Sequence, residues 1–317
     1  MQIDEAISFR QEEEVVEVPP YPLTAIVGHQ GLKRGLLLAV ANPRIGTVLI
    51  SGERDTGKRT AAHGLAPLLP SLEAMEECPV HCSPSAKKKC PVCEAWGDKV
   101  KPRRVHMPFV EIPISASEDK LLGTMRGGAP SPGLLPMANG GLAFMERANL
   151  FSEGVLSLVL DVRDAGKVER NGTWPAQFTL VATMNEEEGE LAEELLERFS
   201  MMIHVSSLGD IEERLEILRR VEAYKSGPRE FAGHYAREES AVRESLASAK
   251  RMLDRADVPK KVASIIEKVC RKVGADGETA MQNLREAALA NAILDGRSWA
   301  SVEDVAEVAD FVLKHQL

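Results

Sequence analysis

The run Gly52-Glu53-Arg54-Asp55-Thr56-Gly57-Lys58-Arg59-Thr60 constrains this chain more than any other feature. A Gly-x4-Gly-Lys loop between a buried strand and a helix wraps backbone N–H groups around a phosphate chain and aims its lysine at the outer end. Both flanks are present. Thr47-Val48-Leu49-Ile50 reads as the strand, and Thr60-Ala61-Ala62-His63-Gly64-Leu65 can continue as the helix. The residue after the lysine breaks the pattern: Arg59 stands where a Ser or Thr hydroxyl would hold Mg²⁺. The loop is built to hold a nucleotide, and this substitution calls its capacity for hydrolysis into question. Thr60 is no obvious replacement, because one step along a helix turns a side chain by about 100°.

The rest of the chain supplies a frame for such a loop. Its 317 residues suffice for a full core and two domains. A net charge of −9 argues against general nucleic-acid affinity, and no aromatic–basic stripe offsets it. The first 18 residues read as an acidic tail with no apolar core, unlike a signal peptide, and no apolar run approaches the length of a membrane span. A cytoplasmic protein is expected. From residue 19 to 207, apolar runs at Thr47–Ile50, Phe109–Ile114, Leu142–Met145, Phe178–Ala182 and Met201–Val205 alternate with helical patterns. That alternation predicts an α/β fold, a parallel sheet covered on both faces. From 208 to 317 only helical spacing remains: Ile211, Leu215 and Leu218 begin it, and Ser301 with Asp304 look like the capping pair of the last helix.

Several motifs in one order resemble a single family, the AAA+ ATPase (I) subunit of magnesium chelatase and its cobalt-chelatase-like relatives. Tyr21 to Gln30 is similar to the opening segment that lines an adenine pocket, with Ile26, Val27 and Gly28 at its centre. Pro113 to Thr124 resembles the strand and turn leading to an inserted hairpin, and Pro132 to Gly141 the approach to the second acidic motif. Asn185 to Leu191, Leu195 to Phe199, and Asp276-Gly277 through Leu284-Arg285 complete the likeness, which covers nearly the whole chain. It implies an AAA+ P-loop core with a five-stranded parallel sheet, a C-terminal all-helical lid domain, and ring assembly with ATP or ADP between neighbours. The nucleotide would meet Gly52, Asp55, Thr56, Gly57, Lys58, Arg59 and Thr60. Glu146 would be the general base, Asn185 the sensor that positions water, Arg198 the finger reaching a neighbour's nucleotide, and Arg285 the lid arginine reporting the terminal phosphate. Taken singly, Asn185 also reads as a strand-end turn residue, and either arginine as a surface ion-pair former.

Two departures bear on the metal. The acidic motif reads Leu142-Ala143-Phe144-Met145-Glu146, so Met145 replaces the aspartate and Glu146 is kept. With Arg59, both protein-side Mg²⁺ ligands are missing, and a guanidinium placed near the phosphates would favour binding over turnover. A third departure is the short stretch Thr124 to Pro132, where magnesium chelatase subunits carry a longer helical insertion. The resemblance therefore implies a nucleotide-binding subunit of a chelatase-type complex with weak or no hydrolysis of its own. It would be partnered by an intact ATPase paralogue or a D-type subunit in a homo- or hetero-oligomeric ring. A non-enzymatic scaffold or adaptor for maturing another metalloenzyme is the alternative.

Four of the five cysteines fall at Cys78-x3-Cys82-x7-Cys90-x2-Cys93, with His81 as a possible substitute ligand. Two close thiol pairs suit structural, tetrahedral zinc. Reduced thiols without metal, disulfides, or a redox-active or iron–sulfur site are the other readings, although disulfides are rare in the cytosol. Cys270 lies alone in a helical pattern and reads as a small apolar core residue.

Overall fold

The structure is a computed structural model and describes residues 18–97, 101–275 and 277–314. The expected acidic tail, apart from Val18, and Asp276 lie outside these residues. The apolar runs form one five-stranded sheet: β1 (Thr47–Gly52), β2 (Phe109–Ile112), β3 (Leu142–Met145), β4 (Thr179–Thr183) and β5 (Met201–Val205). Their order is β5-β1-β4-β3-β2, and every neighbouring pair is parallel. β1, β3 and β4 are buried at every position. With both faces covered there is no solvent side to alternate toward, which is why these strands read as continuous apolar runs. β2 ends at Ile112, two residues short of the sequence expectation. Pro113 follows and has no N–H to offer a ladder, and Ile114 beyond it is 52% exposed.

Helix Gln30–Ala41 packs between the sheet and the C-terminal helices. Helix Glu153–Ala165 starts on Ser152, whose hydroxyl accepts from Val155 N, and ends on left-handed Gly166. Among the described residues three antiparallel hairpins decorate the core: Ser71–Met75 with Pro102–His106, Gly123–Arg126 with Ala129–Pro132, and Lys167–Glu169 with Thr173–Pro175. The first carries the cysteine segment. Buried Asn139 ties that segment to the body, donating to Val80 O at 2.9 Å and accepting from Gln177 N at 3.0 Å.

Beyond Val205 the described residues contain no further named strand. The helices are Ile211–Ser226, Pro228–His234, Ala236–Met252, Lys260–Lys272, Glu278–Leu294 and Val302–Leu313. An α/β core with a helical C-terminal lid is the result. Ser301 and Asp304 form the expected reciprocal cap on the last helix. Ile211, Leu215 and Leu218 lie on a helix as their spacing implies, and they are exposed (73%, 48% and 63%). The inward side of their helix is instead Arg214, Ile217, Val221 and Tyr224, which line the cavity described next.

Candidate nucleotide site

The loop after β1 curls because its glycines permit it. Gly52 has φ +140°, and a Cβ there would sit 1.9 Å from Val205 O on the neighbouring strand, so no side chain fits. Asp55 and Gly57 also take positive φ, closing the turn before the helix Lys58–Leu65. At Gly28 (φ +59°) a Cβ would meet the Leu208 methyls at 2.9 Å. Gly52 thus lets backbone approach backbone, and Gly28 lets the Leu208 side chain close in, beside a cavity of about 800 Å³. Tyr21, Ile26, Val27 and His29 form one wall, and Leu208, Ile217, Val221 and Tyr224 the other. Asp55, Thr56, Gly57, Arg59 and Thr60 form the polar end. An apolar cleft opening onto backbone N–H groups at a helix start suits a nucleoside with its phosphate chain. Thr60 is on that lining too.

Lys58 is buried under the loop. Its Nζ donates to Gly52 O at 2.8 Å, to Glu53 O at 2.5 Å and toward Thr56 Oγ1 at 3.3 Å. Burial pushes its pKa below the usual lysine range, while Glu186 and Asp55 act in the opposite sense. Arg59 turns away from Lys58 toward the strand ends. Its Nη1 lies 3.2 Å from Glu146 Oε2 and its Nη2 3.5 Å from Glu111 Oε1. The proposed base is thus ion-paired to the residue that replaces the metal-binding hydroxyl. Met145 is fully buried in the core on the sheet and does not obstruct the cavity. An arginine offers only donors and a thioether is a weak acceptor, so these two positions do not fit a divalent ion.

Asn185 sits at the end of β4, where its amide donates to Glu188 Oε2 at 2.9 Å. Glu188 also pairs with Arg54 at 2.9 Å and with Arg147 at 3.6 Å. Burial would raise the pKa of Glu188, but the hydrogen bonds from Asn185 and Arg54 hold it below the usual carboxylate range. Asn185 is therefore beside the loop and already engaged.

Arg198 and Arg285 do not join this cavity. Thr47 Oγ1 donates to Arg198 O at 2.9 Å, which fixes Arg198 at the start of β1, whereas the loop leaves its end. Five strand steps put these ends about 16 Å apart. The Arg198 guanidinium rests between Asp161 (2.8 Å) and Asp164 (2.6 Å). Arg285 lies 3.6 Å from Glu286, whose carboxylate accepts from Asn42 just ahead of β1, so it too belongs to the far end.

The cysteine cluster is brought together as its spacing implies. Cys78, Cys82, Cys90 and Cys93 are all buried, with their sulfurs within 4.8 Å of one another. The Cys78–Cys90 sulfurs are 3.7 Å apart, close to the ~3.8 Å edge of a tetrahedron with 2.3 Å zinc–sulfur bonds. Backbone N–H groups of Cys82 and Cys90 point at Cys78 and Cys82 Sγ (3.4 and 3.3 Å). Hydrogen bonds from Cys82 and Cys90 pull the Cys78 thiol far below its ordinary pKa. The donor set fits zinc with no open position.

Residues 22–198 match the family model for magnesium chelatase, subunit ChlI, and residues 263–317 match an AAA lid domain. The chain belongs to the ChlI family. A Methanocaldococcus jannaschii magnesium-chelatase subunit ChlI homolog is 35% identical across 94% of this chain and 85% of its own length. The magnesium-chelatase 38 kDa subunit of Acidiphilium rubrum is 35% identical across 94% and 91%. Among solved structures, a chain from the complex between subunits BchI and BchD of magnesium chelatase is 34% identical. It covers 94% of this chain and 96% of its own, with a TM-score of 0.54. Residues that the sequence reading did not single out are Glu111, Glu188, Arg54 and His63. His63 is on the helix after the loop and Glu111 on β2 at the sheet edge, with β3 and β4 between it and β1, so only the fold makes them neighbours.

No helix among the described residues is long and apolar enough to cross a membrane.

Proposed function

We propose that this ChlI-family chain is a nucleotide-binding subunit of a chelatase-type ring that binds ATP or ADP and hydrolyses ATP poorly in its own cavity. The Arg59–Glu146 ion pair carries the reading, because it engages the base and replaces a hydroxyl with a cation in a cavity that is otherwise open. A general base must be free to accept a proton from water, and one Glu146 oxygen is already taken up by the Arg59 guanidinium. Asn185, turned to Glu188, is likewise drawn away from a water-positioning role.

Within this reading the two ends of β1 do different work. The loop end holds the subunit's own nucleotide, and the opposite end presents Arg198 and Arg285 to the nucleotide of the next subunit. A relative solved as a complex of BchI with BchD supports a D-type subunit or an intact ATPase paralogue as that neighbour. Cys78, Cys82, Cys90 and Cys93 hold one structural zinc that closes the inserted hairpin. With four protein ligands it leaves no coordination position for chemistry.

The test is to measure nucleotide binding, oligomer mass and turnover on the purified full-length chain. Binding and nucleotide-dependent assembly with an intact ChlI relative, with turnover by the chain alone far below 1 s⁻¹, are expected. Turnover at ~1 s⁻¹ or faster, ordinary for an enzyme, refutes the impaired-hydrolysis reading, and absence of nucleotide binding refutes the whole.

A further inference from the structure

Arg59 follows Lys58 directly, lines the same cavity, and is the meeting point of three elements. Besides Glu146 and Glu111 it approaches His63, with Nε 3.4 Å from His63 Nε2. A guanidinium carries five N–H donors, and these contacts use only part of them. The side chain is 57% exposed, so its remaining donors face the cavity mouth and solvent. A cation is therefore tethered to the first turn of the phosphate-binding helix. The two positions that would hold a divalent ion are an arginine and a core methionine.

We infer that the cavity takes a nucleoside diphosphate without a divalent ion, Arg59 supplying the positive charge that a metal would bring. This deepens the nucleotide-binding reading above and rests on it. Arginine suits the task because its planar fork pairs two donors with two phosphate oxygens. A metal ion beside it would meet a like charge. The preference for two phosphates over three follows from the charges around the loop. The lysine is drawn back onto the Gly52 and Glu53 carbonyls. Glu111 and Glu146 hold the Arg59 guanidinium, and Glu188 holds Arg54 of the loop. A third phosphate adds negative charge near those carboxylates with no metal to neutralise it, and a diphosphate adds less.

Calorimetric titration of the full-length chain with ADP and with ATP, each in EDTA and in millimolar MgCl₂, tests this. ADP affinity is expected to change less than threefold between EDTA and Mg²⁺, and in EDTA ADP binds more tightly than ATP. Arg59→Ser is expected to weaken ADP binding in EDTA at least tenfold, with its thermal unfolding unchanged because the residue is on the surface. A Mg²⁺ gain above threefold for ADP, ATP as tight as or tighter than ADP in EDTA, or a smaller loss in Arg59→Ser overturns the inference while leaving nucleotide binding intact. Lys58→Ala separates the two readings. If no nucleotide binds, or if this variant binds as the unaltered chain does, the nucleotide site itself is refuted, and the inference with it.

Discussion

Asp304 is 1% exposed and carries a full negative charge, a combination that needs several partners. Arg297 reaches it through both nitrogens (2.5 and 2.7 Å), Asn291 donates at 2.9 Å and Ser301 N at 2.7 Å. Burial pushes its pKa up; the Arg297 and Ser301 hydrogen bonds outweigh that and hold it at about 2, below the ordinary 3.8. A depressed carboxylate pKa contributes stability that is fully present above the unfolded value and disappears as pH falls through the folded one. The window is therefore pH 3.8 down to about 2. Asp304→Asn is expected to lose roughly 2 kcal/mol at pH 7, and the gap between variant and parent should close across that window in urea titrations. A gap that stays constant with pH would mean that the loss is packing, not charge. Ser301 and Asp304 were legible as a cap from their spacing alone. That Arg297 completes the site was not, because no local pattern reports which turn folds back on a helix start. Arg59 and Met145 show the same division: the letters announce a missing metal, but only the fold shows that Arg59 is paired to Glu146 and that Met145 is core.

At the scale of elements, β1, β3 and β4 were visible because a doubly covered strand has a continuous apolar signature. The hairpins were less so. Pairs such as Ser71–Met75 with Pro102–His106 are separated by a long excursion, and the strands are partly exposed, so neither run stands out. The helix Ile211–Ser226 was legible as a helix, but it has apolar side chains on two sides, and spacing alone does not say which meets the body. The cysteine excursion closes the longest hairpin, with few apolar side chains of its own to hold it. Val80 and the four cysteines are its main buried residues, so the proposed zinc would supply there what a core supplies elsewhere. Protein purified without chelator should contain about one zinc per chain, measured by plasma emission; Cys90→Ser should lose it. Proteolysis of the metal-free or Cys90→Ser protein should begin between residues 76 and 101, with the five-stranded core resistant. If the metal-free chain is cut no faster there, zinc has no structural role.

The whole molecule is polarised along β1. Lys58 and the cavity lie at one end, and Arg198 and Arg285 at the other, each held by carboxylates of its own chain. Within one subunit these arginines do not reach the cavity, because the length of β1, about 16 Å, lies between them and the loop. In the ring we propose, the far end of one copy would meet the cavity of the next, a heterologous contact that closes when the rotation does. Asp161 and Asp164 would then act as a holster: their ion pairs keep Arg198 in place at the surface and would have to loosen for it to reach a neighbour's phosphate. Exposed pairs of this sort are worth little in stability, so exchanging them for a phosphate contact is not prohibitive. Arg198→Ala is expected to leave the variant's own nucleotide affinity within twofold of the parent. In a mixed assembly with a hydrolysis-competent ChlI relative, turnover at sites abutting the variant should fall on the order of 10³-fold, as for loss of an arginine finger. The measurement is steady-state ATP turnover at a fixed ratio of the two chains, with assembly confirmed by mass. If the mixture turns over equally fast with Arg198 or Ala, the far end of β1 does not serve a neighbour, and the ring reading of this surface is wrong.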